Sequence, residues 1–274
     1  MTGRLVVPQK RHRARAFSAG LVLALWGLPV AVLALFSVSR AYFFPQVLPE
    51  DWSLRAWRLL LGTDSEVWGA LAASTLIGVA VVVVALSVSI PAGRALGLSN
   101  FRGKRLVELA LISPLLAPPM AVGMGLDLAF IRLRLSGSHW GVVLVHLIPA
   151  IPYAVLIVAA AFANFDPGGE GQARTLGATR WKTFRYVTFP AIAPSLAAAG
   201  LLVLLVSWSQ YVLTLLIGGG TVVTLPILLF STASGGDTAM TSALSLIYIA
   251  PVLALLAVAS HRVSRLPPSR LARP

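Results

Sequence analysis

Glu170, Arg174, Arg180, Lys182 and Arg185 crowd into GEGQARTLGATRWKTFRYVTFPAIAPSL, residues 169–196, in a chain otherwise dominated by Leu, Val and Ala. The group is polar and basic, which suits gripping a partner better than catalysis. No G-x-x-x-x-G-K-[ST] phosphate cradle occurs in the sequence, so nothing here is built to hold ATP. Cysteine is absent and acidic residues number only nine, which leaves no thiolate metal site and no disulfide. No Ser/His pair, paired Asp or His-x-x-x-His spacing falls within the apolar stretches. An intramembrane enzyme is therefore disfavoured, and no metal site is expected.

A second polar set lies further on. Ser207, Gln210, Tyr211 and Thr214 recur at i, i+3, i+4 and i+7, one face of a helix. Polar groups at lipid depth are functional candidates by default, and this face is expected to line a solute pathway or to bond neighbouring helices. Asp127 is a further pathway candidate, with an interfacial position near Arg132 as the plainer reading. His146 is a candidate ligand or proton carrier, with a satisfied bundle histidine as the plainer reading.

The elements that must carry these residues follow from hydropathy. The 274 residues are 57% hydrophobic and 11% charged, with a mean hydropathy of +0.85. So few charges cannot clothe a soluble surface, and lipid must cover part of the chain. Six apolar stretches approach or exceed the ~20 residues that cross ~30 Å of hydrocarbon as helix. They fall at about 17–38, 69–93, 107–131, 141–163, 194–217 and 238–260, and backbone polar groups in lipid require that they be helical. Pro114, Pro118 and Pro119 in the third, and Pro149 and Pro152 in the fourth, are expected to kink them.

Basic residues orient the chain. The leader holds five (Arg4, Lys10, Arg11, Arg13, Arg15), and three further segments hold four each: Arg94, Arg102, Lys104 and Arg105; Arg174, Arg180, Lys182 and Arg185; Arg262, Arg265, Arg270 and Arg273. The opposite side has Arg40, Arg55, Arg58, Arg132 and Arg134, so 17 of the 22 lie on one face. That face is cytoplasmic by the positive-inside rule, giving N-in/C-in. The net charge of +13 is thus a topology signal, and no nucleic-acid partner is expected. The first stretch reads as a retained signal-anchor. The expected organisation is a basic leader at 1–16, a six-span domain at 17–262 with a polar loop at 164–193, and a basic tail at 263–274. LPEDWSLRAWRLLLG on the outer side reads as a short helix at the membrane surface, and Trp68 and Trp140 as aromatic anchors.

Within the polar loop, Asp166 and Pro167 suit a helix start. Gly177 suits the left-handed residue after a helix end, and Thr179 suits the cap of a second helix. The expected form is a helix–turn–helix.

The loop resembles the cytoplasmic "EAA" segment of ABC importer permease subunits. QARTLGATRWKTFRYVTFPAIAPSL matches that pattern at Ala173, Leu176, Gly177, Ala178, Trp181, Phe184, Val187, Pro190 and Pro194. The triplet's Glu-Ala-Ala falls on Gly171, Gln172 and Ala173, so its signature Glu is replaced, with Glu170 one residue earlier; Phe189 stands where Leu is usual. FRGKRLVELALISPLLAPPMAVGMGL, HLIPAIPYAVLIVAAAFANFDP and SWSQYVLTLLIGGGTVVTLPILLFS extend the likeness across residues 55–262, the last towards the polyamine, thiamine and ferric-ion branches.

The resemblance implies an all-α integral membrane permease, not itself an enzyme, in a bacterial inner membrane. It implies a cytoplasmic ATPase dimer carrying ATP and Mg, a second permease subunit, an extracytoplasmic solute-binding protein and surrounding lipid as partners. It assigns ATPase coupling to Glu170, Gln172, Ala173, Arg174, Leu176, Gly177 and Ala178. To transmit force the second helix must be rigid, and Trp181 and Phe184 are expected to pin it to the bundle. The expected solute is small and polar, such as a polyamine. The alternative is a stand-alone secondary transporter, which would need its own coupling-ion site near mid-membrane.

Overall fold

The computed structural model describes Leu25, residues 27–40, 48–49 and 51–264. Among these the regular elements are helices: α1 (Gly27–Ser37), α2 (Arg55–Leu60), α3 (Glu66–Leu98), α4 (Lys104–Leu116), α5 (Pro119–Arg132), α6 (His139–Ala163), α7 (Gly168–Thr175), α8 (Arg180–Thr183), α9 (Phe189–Trp208), α10 (Val212–Gly218), α11 (Leu225–Ser234) and α12 (Thr238–Ser264). A single π-helical turn, Phe184–Thr188, joins α8 to α9, so Arg180–Trp208 is one rod.

Among the described residues, four helices are long and apolar enough to cross a membrane: Glu66–Leu98, His139–Ala163, Arg180–Trp208 and Thr238–Val258. The α4–α5 pair makes a fifth if it is counted as one crossing. Most of the first expected crossing and the basic leader lie outside the described residues.

Two of the expected helices are interrupted. The stretch at 107–131 is not one rod: α4 and α5 meet at 99°. Ala117 has φ −78° and ψ 134°, and Pro118 follows in the same extended region before Pro119 opens α5. A residue preceding proline is pushed out of the helical region, and two such residues in succession turn a kink into a corner. The stretch at 194–217 is also broken, with α9 ending at Trp208 and α10 starting at Val212. Ser209 Oγ donates to the Val206 carbonyl at 3.2 Å, and Gln210 N bonds Ser207 O, one residue nearer than a helix requires. Local side-chain bonding of this kind competes with the helical ladder. Pro149 and Pro152, in contrast, leave α6 unbroken.

Glu66–Leu228 forms one compact unit. Its core lies where α3, α6 and α9 pack, around Val81, Ala85, Val142, Ala150, Ala154 and Val203, all fully buried. Small residues let these helices approach closely. At Gly97, a Cβ would lie 2.6 Å from both the Phe162 Cβ and the Ala159 carbonyl oxygen. The flanking segments, Met1–Ser65 and Leu229–Pro274, form the other unit. Within it Trp57 Nε1 donates to Ser37 Oγ at 3.2 Å. Asp237 caps α12 by accepting from Met240 N at 3.0 Å and pairs with Arg55. Burial works to raise the Asp237 carboxyl, but these bonds outweigh it and hold it below the ordinary range.

Candidate functional site

The polar loop folds as two short helices around a sharp corner. Asp166 Oδ1 accepts from Gly168 N at 2.8 Å where α7 begins. At its other end Gly177 has φ +84°, its N–H bonds the Arg174 carbonyl, and the Ala178 N–H reaches back to Ala173. These two bonds and a left-handed glycine constitute a Schellman motif, which satisfies carbonyls that the helix end would leave open. Thr179 Oγ1 then accepts from Lys182 N at 3.3 Å to start α8. The corner is therefore fixed by hydrogen bonds at both helix ends.

One ion pair fastens this elbow to the bundle. Arg94, near the end of α3, donates Nη1 to Glu170 Oε1 at 2.7 Å and Nη2 to Oε2 at 2.6 Å. Such bidentate pairing fixes direction as well as distance. Thr188 Oγ1 donates to the same carboxylate at 2.5 Å. The Arg94 guanidinium also lies over the Phe162 ring, 5.5 Å from its centroid, and Phe162 is fully buried. Four segments, α3, α6, α7 and the π turn, thus meet around one ion pair. The Arg94 hydrogen bonds hold the Glu170 carboxyl below its usual range; burial opposes this and the Thr188 hydroxyl adds to it.

Glu170 is only 6% exposed, so of the residues expected to meet a partner it faces inward. Gln172, Arg174, Leu176 and Gly177 are exposed, and Ala173 and Ala178 are half-buried. Leu176 stands out at 88% exposure, with Trp181 at 70% and Tyr186 at 74% nearby in sequence. Trp181 therefore does not pin α8 to the bundle as expected. It packs on Phe184 at 5.9 Å and otherwise meets solvent; the Arg94–Glu170–Thr188 cluster does the pinning. Sequence reading counted Arg94 only as a topology charge and passed over Thr188. The available signal was that Arg94 is the single charged residue between Glu66 and Arg102, which demands a partner or an interface.

The second polar set is divided by the helix break. Ser207 and Thr214 are buried, and their hydroxyls lie 2.9 Å from the two ring nitrogens of His146. Gln210 and Tyr211 occupy the break and are half-buried. Asp127 is half-buried on α5, and no ion pair joins it to Arg132 among the described residues.

Residues 89–266 match the family described as binding-protein-dependent transport system inner membrane component. The chain belongs to that family. Among relatives of this transport-system component, PhnV of Salmonella typhimurium (strain LT2), named as a 2-aminoethylphosphonate transport system permease, is 27% identical over 251 residues, covering 91% of this chain and 93% of that one. The molybdate/tungstate transport system permease WtpB of Pyrococcus abyssi is 32% identical over 148 residues, 53% of this chain and 59% of its own. The spermidine/putrescine permease PotC of Haemophilus influenzae is 27% identical over 166 residues, 61% and 64%. Among solved structures, a bacterial ABC transporter that imports alginate superposes with a TM-score of 0.72 at 18% identity, covering 95% of this chain and 99% of that one. The inward-facing MetNI methionine ABC transporter gives 0.53 at 20% identity, over 76% and 95%. The fold is that of an ABC transporter permease.

Proposed function

We propose that this chain is one permease subunit of an ATP-driven importer, and that its α7–α8 elbow is the cytoplasmic docking point for a separate ATPase. The observation that carries this reading is the two-sidedness of α7. Its inner side is tied by Glu170 to Arg94, while Gln172, Arg174, Leu176 and Gly177 are presented outward. A partner that grips the outer residues therefore pulls directly on α3. Shifting a two-state gate from 1:99 to 99:1 takes about 5.5 kcal/mol of differential binding, and a bidentate ion pair transmits such a load where a loose loop would not.

The full assembly then has a cytoplasmic ATPase dimer holding ATP and Mg, a second permease and an extracytoplasmic solute-binding protein, all embedded in or bordering lipid. In this reading the chain makes six crossings of the bacterial inner membrane with both termini in the cytoplasm. The distribution of basic residues supports that orientation. Gln210, Tyr211 and Asp127 are the positions from which a solute pathway would draw polar contacts. The solute is small and polar. A polyamine-like cation has support from the PotC likeness, and an aminoalkyl phosphonate from the fuller-length PhnV likeness.

The test is co-purification followed by reconstitution. An ATPase subunit should co-purify in stoichiometric amount, and solute delivered by the binding protein should stimulate its hydrolysis in lipid vesicles. Gly177→Arg, which puts a long charged side chain on the outward corner, should abolish that stimulation. Normal solute-stimulated hydrolysis by the variant refutes the docking assignment.

A further inference from the structure

The break between α9 and α10 encloses a polar cluster whose proton positions can be assigned. His146 is 1% exposed, with Nδ1 2.9 Å from Ser207 Oγ and Nε2 2.9 Å from Thr214 Oγ1. The Thr214 hydroxyl already donates to the Gln210 carbonyl at 2.6 Å. A hydroxyl has one proton to give, so Thr214 accepts from the ring. Nε2 therefore carries the imidazole proton, and Nδ1 accepts from Ser207. Each partner in this chain is matched.

Beside it one group is not. Thr224 is 3% exposed, and its Oγ1 has no protein partner. Thr224 lines a small enclosed cavity together with Ser74, Ile77, His146, Ser207, Trp208, Gln210 and Pro226. The Ser74 Oγ accepts from Leu225 N at 2.9 Å, which leaves its own proton to donate. The Ser207 Oγ, having given its proton to Nδ1, keeps a lone pair. An orphaned hydroxyl, a second donor and an acceptor thus border one space of about 10 Å³.

We propose that this cavity binds a single ordered water molecule, bonded by the Thr224 and Ser74 hydroxyls and by Ser207. The volume is that of one water and no more, since a cavity needs roughly 10–15 Å³ to hold one and the water needs two to four polar partners. No carboxylate lines the space, so a bare cation would lose its hydration without a compensating charge. Apolar Ile77, Trp208 and Pro226 complete the wall and exclude bulk solvent. The water has a structural task. A membrane helix can break only where other groups take over the bonds the backbone gives up; here the Thr214 hydroxyl takes up the Gln210 carbonyl, and the water satisfies the hydroxyls packed beside it. The interruption of the fifth apolar helix is, on this account, a hydrated joint.

The experiment compares the intact transporter complex in lipid nanodiscs with its Thr224→Val variant, using maps that resolve water and thermal unfolding. Valine keeps the shape and removes the hydroxyl. If Thr224 bonds a water, the variant loses a satisfied group, its midpoint falls by about 2–4 °C, and an isolated density peak in the wild-type cavity disappears. If Thr224 is truly unpartnered, valine relieves a buried polar group and the midpoint holds or rises, which overturns the proposal. So does a wild-type cavity without a peak, or a peak that changes when sodium is exchanged for potassium and is therefore an ion. Thr224→Ser, which keeps the hydroxyl, should retain the peak; it and the wild-type map decide the matter if the valine variant does not assemble.

Discussion

At the scale of single residues, the arrangement turns on Glu170 and what faces it. The carboxylate is buried and accepts three charge-assisted or hydroxyl bonds, whereas the Arg94 side chain remains 38% exposed. Removing one partner of a fully buried pair destabilises by about 3–5 kcal/mol, and solvent at Arg94 reduces this. We therefore expect Arg94→Ala to destabilise the elbow by about 2 kcal/mol. Arg94→Lys should recover only part of that, since an ammonium cannot pair bidentately. Solute-stimulated ATP hydrolysis in reconstituted complexes, with basal hydrolysis as the control, reads the effect; equal coupling in wild type and Arg94→Ala would sink the load path. The same pair sets a pH dependence. Glu170 titrates below its ordinary value near 4.5, so its contribution is whole above that value and is lost as pH falls through the lower, folded one. Spin labels on α3 and α7 should keep a fixed separation from pH 7 to pH 5 and drift apart only in stronger acid. A separation that grows already at pH 6 would mean the carboxylate is not held by Arg94.

At the scale of elements, the corner depends on one glycine and two helix ends. A Cβ at Gly177 would meet nothing within 4 Å, yet its φ is +84°, so Gly177→Ala tests backbone strain free of any clash. Left-handed geometry costs a non-glycine residue about 1–2 kcal/mol, and the Ala178 amide, protected by its bond to Ala173, should exchange about 5–30-fold faster. Unchanged exchange would mean the Schellman turn does not hold the corner. Much of this element was legible in the sequence, because Gly177 and Thr179 are local signals read by local rules. The long helices α3 and α6 were legible for the same reason, as unbroken hydropathy. The 99° corner was only half legible: Pro118 and Pro119 promise a disturbance, but a kink and a corner built from two successive extended residues look alike in the sequence. The α9–α10 break was hidden, since Ser207, Gln210, Tyr211 and Thr214 fit helical spacing as well as they fit a broken helix. Arg94 and Glu170 lie 76 residues apart, and no local pattern joins positions so distant.

At the scale of the whole molecule, orientation in the membrane follows from one helix and one charge count. α6 has 25 residues and so extends about 37 Å at 1.5 Å per residue, more than the ~30 Å of hydrocarbon. In the proposed topology α6 crosses the bilayer, which puts the end of α5, at Arg132, and the α7 elbow on opposite faces. In the same six-crossing topology 17 of the 22 basic residues fall on the elbow's side, which would make that side cytoplasmic. The sequence offers an unusually clean test, because it contains no cysteine and any introduced thiol is the only one in the chain. Arg132 and Thr175 are both exposed, so Arg132→Cys and Thr175→Cys report the two faces without disturbing packing. In intact cells stripped of their outer envelope, a membrane-impermeant maleimide should label Arg132→Cys and leave Thr175→Cys unmodified. In inverted vesicles the order should reverse. Labelling of Thr175→Cys from outside would put the elbow beyond the reach of any cytoplasmic ATPase, and with it the Arg94–Glu170 tie would lose its role as a transmitter and become a packing contact alone.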